Sequence, residues 1–344
     1  MILRRDIPPT MAIAEIRAGR WERVRPGAYL VAEPAPAAGA ARAAAPASGA
    51  AGAARAAAPA SGAARAQGPK RPAGPAPSAA ADSWAEVHRR ALARIAAVDA
   101  QLTVRHVVSH ESAALLWGLP LIGDGAVVHV IQSVAPHRGR GDVRRHRQHL
   151  GEDEVVELDG RRVTSLARTI ADCACSLPAR DGLVLADSAL RLGLDRERCD
   201  EMLRRRVGQR GVRRAIEVLS LADDGAESPG ESRLRHVLLR AGLPAPQTQV
   251  LVETDDGPAW GDLGWPEWRV LAEYDGVAKY TAESTAAAAV LRERRREVAI
   301  ERQGWRVLRA SAADLRRPGP LVAALLRSAP PAARVRLRPR PWLT

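Results

Sequence analysis

The stretch GDLGWPEWRVLAEYDGVAKY, residues 261–280, decides how the chain is read. Two strand-like segments, AWGDLGW (259–265) and RVLAEYD (269–275), flank a turn at Pro266-Glu267. Side chains alternate between the faces of a strand. An even connection therefore brings Asp262 onto the face that carries Leu271, Glu273 and Asp275. Carboxylates gathered in this way repel one another and raise each other's pKa unless a cation stands among them. Mg²⁺ takes oxygen ligands and keeps several waters. One such water can attack a phosphodiester while the metal stabilises the phosphoryl oxygens. Lys279 follows four residues after Asp275 and is the only Lys outside the low-complexity linker. It is placed to orient the water or to neutralise developing charge.

The flanks extend the pattern. Upstream, ESPGESRLRHVLLRAGLP (227–244) reads as a helix with Ser228 as N-cap, Pro229 at the first position and Glu231 three after the cap, a capping box. Glu231 would then arrive at the carboxylates from a helix packed on their face. QVLVET (249–254) is a further strand. Downstream, a helix from about 284 to 303 carries Arg292, Arg294, Arg295 and Arg296, and WRVLRA (305–310) is a last strand. The order is α-β-β-β-α-β. Simpler roles stand beside the chemical ones: Glu231 as a cap alone, and Asp275 as a turn former before Gly276. The Arg run can contact phosphate, or it can be a solvated face paired with Glu293 and Glu297.

Composition sets the bounds. The chain has 344 residues, 46% of them hydrophobic, and a formal net charge of +13. That length suggests about two or three domains, with enough apolar residues for real cores. No apolar run of about 18 residues exists, and residues 1–10 have no secretory core segment, so a soluble, cytoplasmic protein without a membrane anchor is expected. Cys173, Cys175 and Cys199 form no CxxC pair, which speaks against a disulfide framework or a Cys-based zinc site. The charge is unevenly spread. Residues 35–81 and 328–344 together hold +9 of it. The first of these segments repeats ARAAAPASGAA at 41–51 and 54–64 and reads as a disordered Ala/Pro/Arg linker, and the second as an extended basic tail. Residues 227–327 are nearly neutral at +1.

The remaining segments are less informative. Within residues 1–34, a short helix over 8–19 precedes a hairpin around Pro26-Gly27, which is how a winged helix-turn-helix ends, here truncated at its start. In 82–226 a helix begins near Trp84, and Ser109 caps a second one ending at Gly118. The run AVVHVIQ (126–132) is a strand. HRGRGDVRRHRQHL (137–150) reads as a basic loop or edge strand; its His137, His146 and His149 show no ligand-pair spacing. Residues 155–220 read as mainly helical scaffold, with helices at 163–175, 183–193 and 213–223.

Three stretches, SPGESRLRHVLLRAGLP, GDLGWPEWRVLAEYDGVAKY and the Arg-rich helix with GWRVLR, resemble an actinobacterial family similar to very-short-patch repair endonucleases. That family lies in the PD-(D/E)XK restriction-endonuclease-like superfamily. GRWERVRPGAYL, SHESAALLWGLP and VTSLARTIADCA resemble AbiEi-type antitoxins and regulators. The resemblance implies an α+β or α/β chain whose residues 227–327 form a mixed sheet flanked by helices. It implies Asp262 and Glu273 as ligands of Mg²⁺ (or Mn²⁺), Glu231 in support and Lys279 assisting the nucleophile. Asp275 stands where the superfamily pattern has Lys. Arg292, Arg294, Arg295 and Arg296 would meet DNA. The implied activity is a metal-dependent DNA endonuclease in repair or defence, with a toxin or repair protein as a further partner. The alternative is a non-catalytic, DNA-binding regulator with a degenerate nuclease domain.

Overall fold

A computed structural model describes residues 1–31, 79–133, 141–276, 283–331 and 337–343. It is a mixed α/β structure in two compact units, one within residues 1–75 and the other within 76–344. Residues 35–78 of the expected linker lie outside those described. Among the described residues, no helix is long and apolar enough to cross a membrane.

In the first unit, β1 (Ile2–Leu3) pairs with β3 (Ala28–Val31), and β3 pairs with β2 (Trp21–Arg25). Helix α1 (Pro9–Arg17) opens on Pro at its first position, where no N–H is missed. The hairpin turns at Pro26-Gly27, and Gly27 supplies the positive φ of 78° that the turn needs.

The second unit begins with α2 (Ala79–Gln101), which packs with α3 (His110–Leu116) on a five-stranded sheet. The sheet order is β6-β5-β4-β8-β7: β4 Val107–Val108, β5 Val128–Gln132, β6 Val143–Arg147, β7 Val155–Leu158, β8 Arg161–Thr164. The strands over 155–164 open the stretch expected to be mainly helical. Glu157 and Arg162 pair across the β7–β8 hairpin, which places the apolar residues of a mixed-charge segment in a ladder. The expected edge strand is β6, which pairs with β5 alone. Ser109 precedes α3, but its hydroxyl caps no backbone N–H and instead contacts His110 Nδ1 at 3.0 Å.

Four helices follow, α4 (Leu166–Ser176), α5 (Ala179–Arg191), α6 (Arg196–Arg204) and α7 (Val212–Ser220). Their apolar faces close around Ile170, Cys173, Leu185, Cys199, Leu203 and Leu219. The next helix, α8 (Pro229–Arg240), belongs to this core as well as to the C-terminal sheet. Leu239 joins the helical cluster, whereas Leu234 and Leu238 join the sheet cluster. Arg235 of α8 binds the fully buried Asp187 of α5 at 2.7 Å. Residues 82–226 and 227–327 therefore share one packed interior. The C-terminal residues also dock. Arg338 N–H donates to Gly242, Arg340 N–H donates to Arg240, and Leu343 is buried in the helical core. Residues 337–343 of the expected extended tail are thus a strap across the end of α8.

The C-terminal sheet has the order β12-β11-β10-β9: β9 Gln247–Thr254, β10 Gly257–Trp265, β11 Val270–Tyr274, β12 Arg306–Ala310. Strands β9, β10 and β11 run as an antiparallel meander, and β12 lies parallel to β11 after the crossover helix α9 (Glu283–Arg302). Alternation along β11 divides the layers. Val270 and Ala272 face α8 and the helix Gly319–Ser328, while Leu271 faces Ile300 of α9. Trp265 is fully buried; its indole N–H donates to the Pro244 carbonyl and its ring stacks on Trp268.

Candidate functional site

The site lies where β10 and β11 part. Their paired residues run from Trp265↔Val270 to Leu263↔Ala272. One step further, the Asp262 carboxylate takes the place of a ladder acceptor: Tyr274 N–H donates to its Oδ2 at 2.9 Å. Two residues earlier on β10, the Trp260 carbonyl accepts from Arg296 Nη1 of α9 at 2.7 Å. A side chain from each flank thus fills the gap between the strands. Gly261 and Gly264 permit the close packing here, because a Cβ at either would stand 2.7 Å from the Leu271 side chain.

Glu273 and Glu231 approach Asp262 from opposite faces. Glu273 points to the α9 side, where Arg296 Nη2 stands 2.7 Å from Oε1 and 2.8 Å from Oε2. Arg296 also holds Glu293, which is shared with Arg309. Glu231 sits in the first turn of α8, whose apolar side packs on Leu263 and Ala272. This corrects the expectation that α8 covers the Glu273 face: the parity that puts Glu273 with Leu271 turns it away from α8. The capping box is also incomplete. Ser228 Oγ accepts from Glu231 N–H, but the Glu231 carboxylate accepts from Glu227 N–H at 2.7 Å, one residue before the cap.

Asp262 is felt on both sides. Burial, and then the charge of Asp262, push the Glu231 carboxyl up to about 6. Burial raises Glu273 as well; Arg296 opposes that shift and Asp262 adds to it. Glu231 and Glu273 are 7% and 6% exposed. Asp275 follows the strand with its N–H bonded to the Ala310 carbonyl and its Oδ1 buried without a hydrogen bond.

The expected DNA-contacting arginines divide. Arg292, Arg294 and Arg295 are exposed on α9, with Arg294 3.3 Å from Glu297. Arg296, one residue on, turns inward to Glu273, because a helix rotates each side chain about 100° from the last. Lys279 lies outside the described residues.

A second cluster lies in the five-stranded layer. His110 opens α3, His129 is on β5 and His146 on β6. They offer donor atoms all within 4.8 Å of one another, a triad capable of holding a metal ion. Among the described residues it is the one group of three that closes to this spacing; the carboxylates around Asp262 do not. His146 Nε2 stands 3.2 Å from His129 Nδ1, and the His110 and His146 rings stack at 3.8 Å. His110 sits at a φ of 52°, a left-handed conformation that costs a non-glycine residue about 1 kcal/mol. Burial is the main cause that lowers all three imidazoles, His110 to about 2 and the others to about 4. The basic run alone did not reveal this cluster, since only His146 comes from it. The other two come from SHESAALLWGLP and AVVHVIQ, and the only signal was an isolated His in each.

The chain is similar to two curated proteins of Mycobacterium tuberculosis, "Uncharacterized protein MT2308" of strain CDC 1551 / Oshkosh and "Uncharacterized protein Rv2248" of strain ATCC 25618 / H37Rv. With each it is 30% identical over 239 residues, which span 69% of this chain and 86% of the relative. No family model and no solved structure matches it.

Proposed function

We propose for this chain, which belongs to one family with the two Mycobacterium tuberculosis proteins, metal-dependent hydrolysis of DNA phosphodiesters by a restriction-endonuclease-like domain over residues 227–327. The observation that carries this reading is that Asp262, held by Tyr274 N–H at the parting of β10 and β11, acts electrostatically on both Glu231 and Glu273. The order α8-β9-β10-β11-α9-β12, with β12 parallel to β11, supports it. So do the sequence resemblances to very-short-patch repair endonucleases and to AbiEi-type regulators.

The donor set suits Mg²⁺ or Mn²⁺ in kind. It is built of carboxylate oxygens, and Glu231 and Glu273, raised first by burial, are raised further by the charge of Asp262, which a divalent cation would offset. Asp262 and Glu273 would hold the ion. When bound, the ion supplies an acidified water and stabilises charge on the phosphoryl oxygens. The chain's own residues do the rest. Tyr274 N–H fixes the orientation of the Asp262 carboxylate. Glu231, raised to about 6 and so mostly ionised at neutral pH, can accept a hydrogen bond from a water beside Asp262. Arg296 supplies positive charge beside Glu273. Lys279 is assigned to assist the nucleophile, and Arg292, Arg294 and Arg295 to meet the DNA backbone. Residues 1–31 add a helix followed by a hairpin, which on this reading serves as the closing part of a winged helix, with α1 for the major groove and the hairpin for phosphate.

The test is cleavage by the full chain with Mg²⁺ or Mn²⁺ on linear, mismatched and branched duplexes. Wild type should cut and Asp262→Asn should not; cutting that persists in the variant overturns the assignment.

Two observations favour a second reading, a DNA-binding regulator with a degenerate nuclease site and a toxin or repair protein as partner. Arg296 already occupies both oxygens of Glu273, and Asp275 stands at the lysine position of the superfamily pattern. This reading expects DNA binding that weakens steeply with salt, and no cleavage with either metal.

A further inference from the structure

We propose that His110, His129 and His146, with Glu111 beside them, form a second metal site in the five-stranded layer, specific for a divalent transition metal of the zinc class. It is separate from the carboxylates around Asp262 and does not depend on their role.

The donor type selects the ion. Imidazole suits zinc, copper, nickel and cobalt, whereas magnesium and calcium take oxygen. Spacing agrees: ligands 2.0–2.1 Å from a tetrahedral ion lie about 3.3 Å apart, and His129 Nδ1 and His146 Nε2 stand at 3.2 Å. Ser109 Oγ engages His110 Nδ1, which leaves the Nε2 of that ring for the ion and fixes the ring from behind. Glu111 Oε2 lies 3.2 Å from His129 Nδ1 yet is buried without a hydrogen bond. A buried carboxylate oxygen with no hydrogen bond, beside three imidazoles, has the chemistry of a ligand or of a ligand's partner.

The surroundings permit a cation. Arg168 and Arg206 face His110, but Glu154 and Asp172 already balance Arg168, and Asp172 balances Arg206. Arg144 lies close to His129 and His146 and is opposed by Glu111. A cavity of about 210 Å³ reaches Glu111, His129 and Arg144. An ion here would tie the start of α3 and the edge strand β6 to β5. The stacked rings of His110 and His146 must turn to converge on it.

The full chain, stripped with chelator, is titrated with Zn²⁺ by calorimetry and with Co²⁺ by visible absorption. Wild type should take up one ion per chain, and Co²⁺ should show ligand-field bands without a thiolate charge-transfer band. With free Zn²⁺ about 100-fold above its dissociation constant, the melting temperature should rise by about 5 °C. His146→Ala, on the half-buried edge strand, and His129→Gln should each weaken binding by about 100-fold. Asp262→Asn should bind as wild type does. Absence of uptake by the folded wild type overturns the site. So does a thiolate band, which would place the ion on a cysteine, or unchanged affinity in both His variants. If one variant does not fold, the other variant and the wild-type spectrum still decide.

Discussion

Arg296 Nη2 stands between the two carboxylate oxygens of Glu273, 2.7 Å from one and 2.8 Å from the other, while its Nη1 holds the Trp260 carbonyl. One guanidinium thus joins α9 to both strands at the point where they separate. Glu273 is nearly buried, so loss of this partner strands a charge. Arg296→Gln should cost about 2 kcal/mol, less than a fully buried pair because Arg296 is partly exposed. Glu273→Gln in the same chain should recover part of that loss. Urea unfolding of the single and double variants measures the coupling, and strictly additive costs would contradict it.

Glu231 gives a pH signature. Its carboxyl is raised from 4.5 to about 6 in the folded protein, by burial first and by Asp262 second. The fold therefore favours the protonated form. Its contribution to stability is full below about pH 4.5 and is lost as pH rises through about 6. Glu231→Gln should flatten the decline of stability over that window. Asp262→Asn should move the Glu231 carboxyl back toward 4.5, read by carboxyl carbon NMR. A carboxyl that does not move in Asp262→Asn would separate the two residues.

Gly230 admits the Tyr274 ring against the first turn of α8, since a Cβ there would meet Cε1 at 2.0 Å. Gly→Ala in a helix usually gains about 1 kcal/mol. Here the sign should reverse, with Gly230→Ala losing about 2 kcal/mol through overpacking. Adding Tyr274→Ala should make the pair less costly than the sum of its parts. Thermal and urea melts check this.

The Asp187–Arg235 pair joins the helical layer to α8 with both side chains buried. Arg235→Met removes the counter-ion of Asp187, whose carboxyl burial already raises, at a cost of about 4 kcal/mol. Asp187→Asn added to it keeps an acceptor for Asp223 N–H and should return much of the stability. The same urea midpoints serve, and a double variant no more stable than Arg235→Met would refute the account.

The parts of this molecule that could be read from the chain are those with local causes. Ser228-Pro229 marks the start of α8, and the alternation of 270–274 sets the two faces of β11. The spacing from Asp262 to Glu273 put both at one point of the sheet. What escaped depends on reach across the fold. Helical phase alone does not say that Arg296, among four arginines in five residues, is the one that turns inward. The Glu231 carboxylate accepts from Glu227 N–H rather than from the cap, a choice that has no signature in the local sequence. His110, His129 and His146 come from three segments whose spacing has no ligand signature, and only the parallel pairing of β5 with β6 joins two of them. Leu158 to Arg161 carry turn residues, Asp159 and Gly160, both at positive φ, inside a stretch that reads as helical by composition.

Leu343 fills the same interior as Cys173, Cys199 and Leu239, and its carbonyl accepts from or faces His236 Nε2 at 2.8 Å, 107 residues apart in sequence. During synthesis, at about 5–20 residues per second, that gap corresponds to a delay of several seconds. The helical core can assemble on the ribosome before then, but it must wait with an apolar opening beside α8 until residue 343 has left the tunnel. The order of manufacture thus makes the strap the last stone of a core whose first stones were laid some two hundred residues earlier.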